Sequence, residues 1–391
     1  MSIKSRFQPL LEQRAKDHLY RRRPLATTAQ DTAMQINGLQ TINFSSNDYL
    51  GLANHPALKK ILQETNDLSV GSGAAHLVTG HHLEHHLLED ELADWLGCDR
   101  ALLFSTGYMA NLAVQPALMQ KGDWILSDKL NHASLLDGAL LSAADLKRYA
   151  HNDMKALEKR LKQAQEANIQ CLIVTDGVFS MDGDLAKLPE IQALTQKYGA
   201  WLLIDDAHGL GVLGQKGKGC FEHFGLTPDE NTLIMGTLGK AFGTSGAFVA
   251  GSEVAIEALI QFARPYIYTT AMSPVNAKVT RSALKLVRDA NVRRQQLKDN
   301  IAFFRQGATA IGLNLMPSES AIQPILLGDS EVAIAWSETL KQAGCWVSAI
   351  RPPTVPKDTA RLRITLSASH THAQIQQLLD ALKAIQQKTH S

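Results

Sequence analysis

The sequence lacks a long hydrophobic run, an excess of one charge and an apolar leader. None of its 391 residues lies in a stretch approaching the roughly 18 apolar residues that a membrane span needs. Its 39 Lys and Arg residues balance 38 Asp and Glu residues, so there is no electrostatic reason to expect binding to nucleic acid or to an anionic membrane. The N-terminal segment is charged throughout, unlike a secretory signal. We therefore expect a cytoplasmic protein without membrane or nucleic acid partners.

Cysteines are few and scattered, at Cys98, Cys171, Cys220 and Cys345. They form no C-x-x-C pair of the kind found in redox and zinc sites. We expect them to be reduced, buried thiols, as is typical of a cytoplasmic protein.

The sequence does contain short apolar runs that alternate with helical segments. The runs at 101–104, 171–175, 201–205 and 247–250 are nearly continuous, as strands covered on both faces are. Alternating strands and helices predict an α/β fold with a mostly parallel, doubly wound sheet. Beyond Pro274, helical stretches and strands at 322–327, 346–350 and 361–366 predict a smaller α+β domain.

The length is too great for one ordinary core and predicts a large domain with a smaller companion. We place an N-terminal helix and short strand in 1–50, a large cofactor-binding α/β domain in 51–285, and a small C-terminal α+β domain in 286–391.

Two chemically active residues follow successive predicted strands. Asp205 ends the strand at 201–205, and α/β proteins bind ligands at that edge of the sheet. Lys240 lies in a glycine-rich turn after the next strand, where partial desolvation suits a lysine to Schiff-base chemistry. Pyridoxal phosphate requires an acid at its ring nitrogen and a lysine at its aldehyde. Considered separately, a turn-capping acid and a solvated loop lysine remain the alternatives.

The phosphate of such a cofactor also needs an anion site. Residues 104–108 place a polar cap and Gly107 directly before a helix, whose first amides bind anions, and Thr237 can add a hydroxyl. His132 stands at a helix start, where its ring can stack on a pyridine, and Ser180 follows the strand at 171–175. Each is equally consistent with an ordinary cap or turn.

Together these segments resemble the α-oxoamine synthases, pyridoxal phosphate enzymes of the aspartate aminotransferase fold type. The similarity is collinear over nearly the whole chain and departs from the common pattern in small-residue exchanges, as at Ala74, Ala75 and Ala247. It implies that fold, a homodimer whose subunits share active sites, and no metal. The matching segments, besides His132, are 43–52, 71–73, 177–183, 205–208 and 237–240.

The resemblance implies a role for each matching residue. Lys240 would carry the cofactor and move the substrate Cα proton. Asp205 would pair with the pyridinium nitrogen, and His132 would stack on the ring. His208 and Ser180 would contact the ring phenol oxygen.

Two further groups of residues are implied in the same way. Arg363 would bind the amino acid carboxylate, a bidentate task for which arginine is well shaped, and Arg21 and Thr354 would meet the acyl donor. The residues on the phosphate side would be Gly107, Tyr108 and Thr237. The substrate-binding set would be Arg21, Asn47, His132, Thr354 and Arg363.

The C-terminal tail favours one branch of the family. Residues 349–356 and 359–366 are similar to the branch that condenses L-alanine with a pimeloyl thioester, carried on CoA or a carrier protein. That reaction gives 8-amino-7-oxononanoate, CO2 and a free thiol in biotin biosynthesis. The alternative within the family is a 2-amino-3-ketobutyrate CoA ligase, which uses glycine and acetyl-CoA.

Two other motifs suggest different chemistry. Residues 209–214 match the dinucleotide fingerprint G-x-G-x-x-G, but the glycine-rich residues 215–219 cannot open the helix that such a site requires. His81, Glu84 and His85 match the H-x-x-E-H pattern of zinc metallopeptidases. The same helix carries an apolar packing set of leucines and Trp95, so the metallopeptidase is a remote alternative.

Overall fold

The computed structural model describes residues 1–389, and the elements named here are those of the described residues. The strands are β1 (Ala33–Ile36), β2 (Leu39–Asn43), β3 (Arg100–Phe104), β4 (Trp124–Asp128), β5 (Asp145–Tyr149), β6 (Cys171–Asp176), β7 (Trp201–Asp205), β8 (Thr232–Thr237), β9 (Ala247–Gly251), β10 (Ile322–Gly328), β11 (Cys345–Trp346), β12 (Ser348–Ile350) and β13 (Ala360–Thr365).

The helices accompany these strands throughout the chain, and one short π-helix covers His76–Gly80. The α-helices are α1 (Ile3–Lys16), α2 (Pro56–Gln63), α3 (Leu83–Leu96), α4 (Gly107–Leu118), α5 (Ala133–Leu141), α6 (Met154–Glu166), α7 (Leu188–Tyr198), α8 (Cys220–His223), α9 (Glu253–Phe262), α10 (Arg264–Ile267), α11 (Pro274–Arg288), α12 (Asn291–Ile311), α13 (Ser330–Gln342) and α14 (His372–Thr389). None of these helices is both long and apolar enough to cross a membrane.

The chain forms two compact units. The central unit comprises Asp48–Ser180 and Asp184–Arg294. The terminal unit comprises Met1–Asn47, Met181–Gly183 and the residues from Gln295 onwards. Met1–Asn47 thus fold together with described residues that follow Gln295.

A seven-stranded sheet forms the centre of the central unit, in the order β3-β9-β8-β7-β6-β4-β5. The five strands β8, β7, β6, β4 and β5 are parallel to one another, while β9 is antiparallel to both β3 and β8. The predicted mostly parallel sheet is therefore confirmed. In this register Asp205 of β7 lies opposite Asp176 of β6 and Met235 of β8, so polar residues collect at one edge.

Both faces of this sheet are covered. Leu203 packs in a buried cluster with Ala113 of α4 and Leu135 of α5. Its neighbour Ile204, which points to the opposite face because side chains alternate along a strand, is also fully buried. This double burial explains the continuous apolar runs of the sequence.

The terminal unit holds two three-stranded sheets, β1-β2-β11 and β10-β13-β12. β2 pairs antiparallel with β1 and parallel with β11, where Ile42 lies opposite Cys345. β13 is antiparallel to both of its neighbours. The single strand predicted at 346–350 was wrong in one respect, because β11 and β12 join different sheets.

Candidate active site

Lys240 begins a line of three hydrogen-bonding side chains in the central unit. Its Nζ lies 2.9 Å from His208 Nε2, and His208 Nδ1 lies 2.5 Å from the Tyr49 hydroxyl. His208 and Tyr49 are buried. Because every link is a direct side-chain contact, a proton can pass between the amine, the imidazole and the phenol without intervening water. Tyr49 was not singled out by the sequence reasoning, although it lies in the segment 43–52.

Asp205 closes β7 with a buried carboxylate held by two donors. Its Oδ1 accepts the Ala207 N–H at 3.0 Å, and its Oδ2 accepts the Asn111 side-chain amide at 2.7 Å. These donors offset the cost of burying the acid and fix its orientation. The strand alone places Asp205 at the sheet edge, whereas Asn111 on α4 determines where its oxygens point.

Asn111 also connects Asp205 to His132. The second contact of its Nδ2 is the Ser134 hydroxyl at 2.8 Å, and that hydroxyl lies 2.7 Å from His132 Nδ1. Since the Ser134 backbone N–H also donates to His132 Nδ1, that nitrogen is an acceptor. The ring proton of His132 is therefore assigned to Nε2.

Sequence reasoning missed Asn111 and Ser134. The available signal was the position of Asn111 within the otherwise largely apolar first turns of α4. Asn111 is fully buried, and a buried amide in a helix interior needs specific partners.

Two buried acids, Asp176 and Asp205, lie near His132. Its backbone N–H donates to Asp176 Oδ2 at 2.6 Å. Burial lowers the pKa of His132, as does the charge of Lys240, although Asp205 opposes this effect. Burial and the Asp205 charge raise the pKa of Asp176 well above its usual value. His132 is thus an uncharged flat ring, and Tyr108 packs edge-on against it at 6.3 Å between centroids.

The N-terminus of α4 supplies donors for an anion. The Thr106 hydroxyl caps this helix by accepting the Met109 N–H at 3.2 Å, and the helix begins at Gly107. A Cβ added at Gly107 would lie 3.9 Å from the Cβ of Thr237, so the helix end lies against the end of β8. Free helix amides beside a hydroxyl are a donor set suited to a phosphate. Ser180 lies in the loop that follows β6 and is partly exposed.

The donor set of the central unit can be tested against a cofactor with a protonated ring nitrogen, a carbonyl and a phosphate. The buried Asp205 carboxylate accepts from two neutral amide donors, and a buried anion is costly unless a positive group compensates its charge. A protonated ring nitrogen would be such a group, because it is both positively charged and a donor. With Lys240 for a carbonyl and the α4 N-terminus for a phosphate, these residues fit such a group.

Two predicted substrate residues lie together in the terminal unit. Arg363 on β13 places its Nη1 and Nη2 at 3.3 and 3.2 Å from Asn47 Oδ1. Its Nη1 also donates to the Thr365 hydroxyl at 2.9 Å. The other two, Arg21 and Thr354, are exposed.

A cavity of about 680 Å³ also lies in the terminal unit. The cations on its lining are Arg22, Lys341 and Arg351, together with His18. Neither Arg21 nor Thr354 is among its lining residues, so the sequence reasoning did not point to this cavity.

The glycines of the dinucleotide-like motif and of residues 215–219 allow tight turns and close packing. Gly211 has a φ of +84°, in the left-handed region that favours glycine. A Cβ at Gly219 would come 1.9 Å from Asp206 Oδ2, and that buried carboxylate accepts the Cys220 N–H. The described chain forms turns from the motif to the start of α8 at Cys220. The helix of a dinucleotide site is therefore missing there.

The metallopeptidase alternative is wrong. Glu84 is buried and paired with Lys278 at 2.9 Å and Arg281 at 2.6 Å, so it is not available as a general base. His85 accepts the His82 N–H at Nδ1 and therefore donates from Nε2 to the Met272 carbonyl. Both of its nitrogens are in use, which leaves no lone pair for a metal.

Comparison with known proteins agrees with this geometry. The profile for class I and II aminotransferases matches residues 40–382. The chain belongs to the class I and II aminotransferase family. It is 72% identical to an 8-amino-7-oxononanoate synthase of Hydrogenovibrio crunogenus, over 98% of this chain and 97% of that one. The predicted fold class and resemblance are therefore confirmed.

Solved structures are similar over most of the chain. A serine palmitoyltransferase that holds PLP superposes with a TM-score of 0.93 at 32% identity, covering 99% of each chain. An 8-amino-7-oxononanoate synthase from Francisella tularensis superposes with a TM-score of 0.77 at 35% identity, covering 90% of this chain and 99% of that one.

Proposed function

We propose that this chain catalyses the decarboxylative condensation of L-alanine with a pimeloyl thioester, giving 8-amino-7-oxononanoate, CO2 and a free thiol in biotin biosynthesis. The observation that carries the proposal is the position of Asp205 and Lys240 at the ends of the adjacent parallel strands β7 and β8, in a chain 72% identical to a synthase of that name. The cofactor is pyridoxal 5'-phosphate, which when bound accepts the electrons released at the amino acid Cα.

The central unit supplies the groups that hold the cofactor. Asp205, oriented by Asn111, would accept a hydrogen bond from the protonated ring nitrogen, and the neutral ring of His132 would stack on the cofactor ring. His208 and Ser180 would contact the phenol oxygen. The phosphate would be held by Gly107 and Tyr108 at the start of α4 and by Thr237 at the end of β8.

Lys240 moves the proton of the reaction. Its neutral amine takes the proton from the substrate Cα at Nζ, and the ammonium so formed can pass a proton to His208 Nε2, 2.9 Å away. Tyr49 completes this path at His208 Nδ1. Because His208 and Tyr49 are buried, proton transfer is shielded from competing exchange with bulk water.

The terminal unit supplies groups for the substrates. Arg363 binds the amino acid carboxylate through its two Nη atoms, since a guanidinium matches a carboxylate in bidentate geometry. Asn47 orients this guanidinium through its Oδ1. The roles of Arg21 and Thr354 toward the acyl donor rest on the family resemblance.

A substrate panel tests the proposal. L-alanine, glycine and L-serine are each offered with pimeloyl and acetyl thioesters, and the released CO2 and thiol are measured. We expect alanine with the pimeloyl thioester to give the highest kcat/KM. A preference for glycine with acetyl-CoA would contradict the proposal and assign the chain to the 2-amino-3-ketobutyrate ligase branch. Comparing the CoA thioester with the carrier-protein thioester in the same panel identifies the natural carrier.

We also propose that two copies associate into a homodimer whose subunits share active sites. The apolar side chains Ile3, Phe7, Leu10 and Leu11 of α1 are all exposed, and their spacing places them on one helix face. A second copy can cover this face. Light scattering after gel filtration should give twice the chain mass of 42.7 kDa, and Phe7→Glu with Leu10→Glu should weaken the dimer. A monomer at micromolar concentration would contradict this proposal.

A further inference from the structure

Three histidine rings of the central unit pack around a fourth, that of His81. Ring centroids lie 5.2 Å apart for His76 and His81, 5.8 Å for His81 and His85, and 6.0 Å for His81 and His86. His76 lies on the π-helix, His81 directly follows it, and the other two lie on α3. The proposed reaction uses none of these rings.

The hydrogen bonds of these imidazoles decide which of them can bind a metal, because an imidazole nitrogen coordinates only through a lone pair that is not already in use. Since both nitrogens of His85 are already hydrogen-bonded, that ring belongs to the packing.

A ligand set remains once His85 is excluded. His81, His86 and Glu89 each offer one ligand atom, and these atoms all lie within 4.8 Å of one another. Two ligands of one zinc-sized ion lie about 3.3 Å apart, given metal–ligand bonds of about 2.1 Å. His81 and His86 are exposed, so small rotations of their side chains can shorten the distances between the ligand atoms to the value that one ion requires. His86 and Glu89 are three residues apart on α3 and share a helix face.

Surrounding groups support such an ion. His76 Nδ1 contacts His81 Nδ1 at 2.9 Å, and outer hydrogen bonds of this type orient metal-binding rings. His76 is itself stacked on Tyr266 at 5.2 Å between centroids. Asp90 Oδ2 lies 3.7 Å from His86 Nε2 and adds negative charge. Glu89 Oε1 accepts the Leu103 N–H, which fixes that carboxyl group.

We propose that His81, His86 and Glu89 form a binding site for a divalent transition metal ion of the zinc class. The site is separate from the proposed reaction. Two imidazoles and one carboxylate are a common ligand set for such ions, with the remaining positions taken by water.

Zinc titration of the intact, cofactor-loaded protein tests the site. After chelator treatment and removal of the chelator, Zn²⁺ is added in a calorimeter, and thermal unfolding is followed with and without the ion. We expect one tight equivalent per chain and a higher Tm with zinc, because an ion that binds the folded state stabilises it. Absence of a tight equivalent would overturn the proposal.

Variants then assign the ligands. His81→Asn with His86→Asn should weaken zinc binding at least tenfold, and Glu89→Gln should weaken it severalfold. The matched control is His223→Asn with His372→Asn, which removes two exposed histidines elsewhere and should leave affinity unchanged. Equal affinity in the His81/His86 double variant and the wild type would overturn the assignment. Enzyme turnover, measured in parallel without zinc, tests the proposed reaction separately.

Discussion

The central and terminal units build their polar clusters in different ways. In the central unit, Asp205 and Lys240 follow successive strands of one parallel sheet, so the topology collects them at one edge. In the terminal unit, Arg363 contacts Asn47, which lies 316 positions earlier. The first arrangement follows from local sequence and strand order, whereas the second requires both ends of the chain to fold together.

The two arginines of β13 extend this comparison within one unit. Arg361 and Arg363 lie two residues apart, so they point to the same side of the strand. Arg361 is paired with the carboxylate of Asp182, while the contacts of Arg363 include the neutral groups of Asn47 and Thr365. Arg361 therefore has the contacts of a structural residue, whereas the role proposed for Arg363 at the amino acid carboxylate rests on the family resemblance.

The largest effect is expected at Lys240 in the central unit. Lys240→Ala removes the proposed base, and we expect turnover to fall by about 10³-fold or more. Thiol release under saturating substrates measures this loss. The control is Lys216→Ala, an exposed loop lysine of the same unit, which should retain full activity. Turnover within tenfold of wild type in Lys240→Ala would remove the lysine from the mechanism.

The next effect separates the two arginines. Arg363→Lys replaces a bidentate fork by a point charge, so KM for alanine should rise by about 10- to 100-fold with a smaller change in kcat. Arg361→Ala leaves the carboxylate of Asp182 without its paired cation and should lower the free energy of unfolding by about 3 kcal/mol. Steady-state kinetics and urea unfolding of both variants measure the two quantities. Equal KM shifts in the two variants would abolish the distinction between them.

A smaller effect is expected from the two buried amides of α4. Asn111→Ala frees Asp205 and the Ser134–His132 pair, and we expect kcat to fall about tenfold with a shifted pH profile. Gln115, four residues later, donates to the Leu135 carbonyl. Its replacement by alanine should lower stability by about 1–2 kcal/mol and leave the pH profile unchanged. An unaltered pH profile in Asn111→Ala would reduce Asn111 to a packing residue.

The smallest effect is a pH-dependent change in stability at His151. Burial alone would lower its pKa, but hydrogen bonds to Asp128 and Asp184 outweigh burial and raise the pKa to about 10. A pKa raised on folding stabilises fully below the unfolded value of about 6.5, and this contribution is lost as pH rises through the folded value.

His151→Gln should therefore destabilise by about 1–2 kcal/mol at pH 6 and by much less near pH 10. Urea unfolding at pH 6, 8 and 10 measures the difference. His372→Gln, at an exposed ring stacked on Phe303, should show no such trend. A constant difference between His151→Gln and wild type across this range would mean that the ion pair contributes nothing.

Prediction from sequence succeeded where the signal was local and strong. The runs that became β6, β7 and β8 are apolar because both sheet faces are covered. β5 was missed because its residues Asp145–Tyr149 are mostly polar, as suits an edge strand with one neighbour. The break between β11 and β12 was missed because it depends on which sheet each strand joins.

The same distinction applies to the site. Asp205 and Lys240 were predicted because their residue types stand out beside strand ends, and His208 was predicted from the family resemblance. Asn111, Ser134 and Tyr49 were not, since an amide, a hydroxyl and a phenol acquire their roles only through contacts between separate elements. Hydrogen-bond partners of this kind are a property of the folded chain, and no spacing in the sequence encodes them.

The pairing of β2 with β11 also limits when the terminal unit can finish folding, because β2 is synthesised long before β11. Ile42 must find Cys345, and a ribosome that adds about 5–20 residues per second needs about 15–60 s to synthesise the segment between them. During that interval β2 has an open edge, which is a target for wrong partners. We therefore expect the N-terminal 47 residues to be the last part of the chain to become protease-resistant after synthesis, although they are the first to be made.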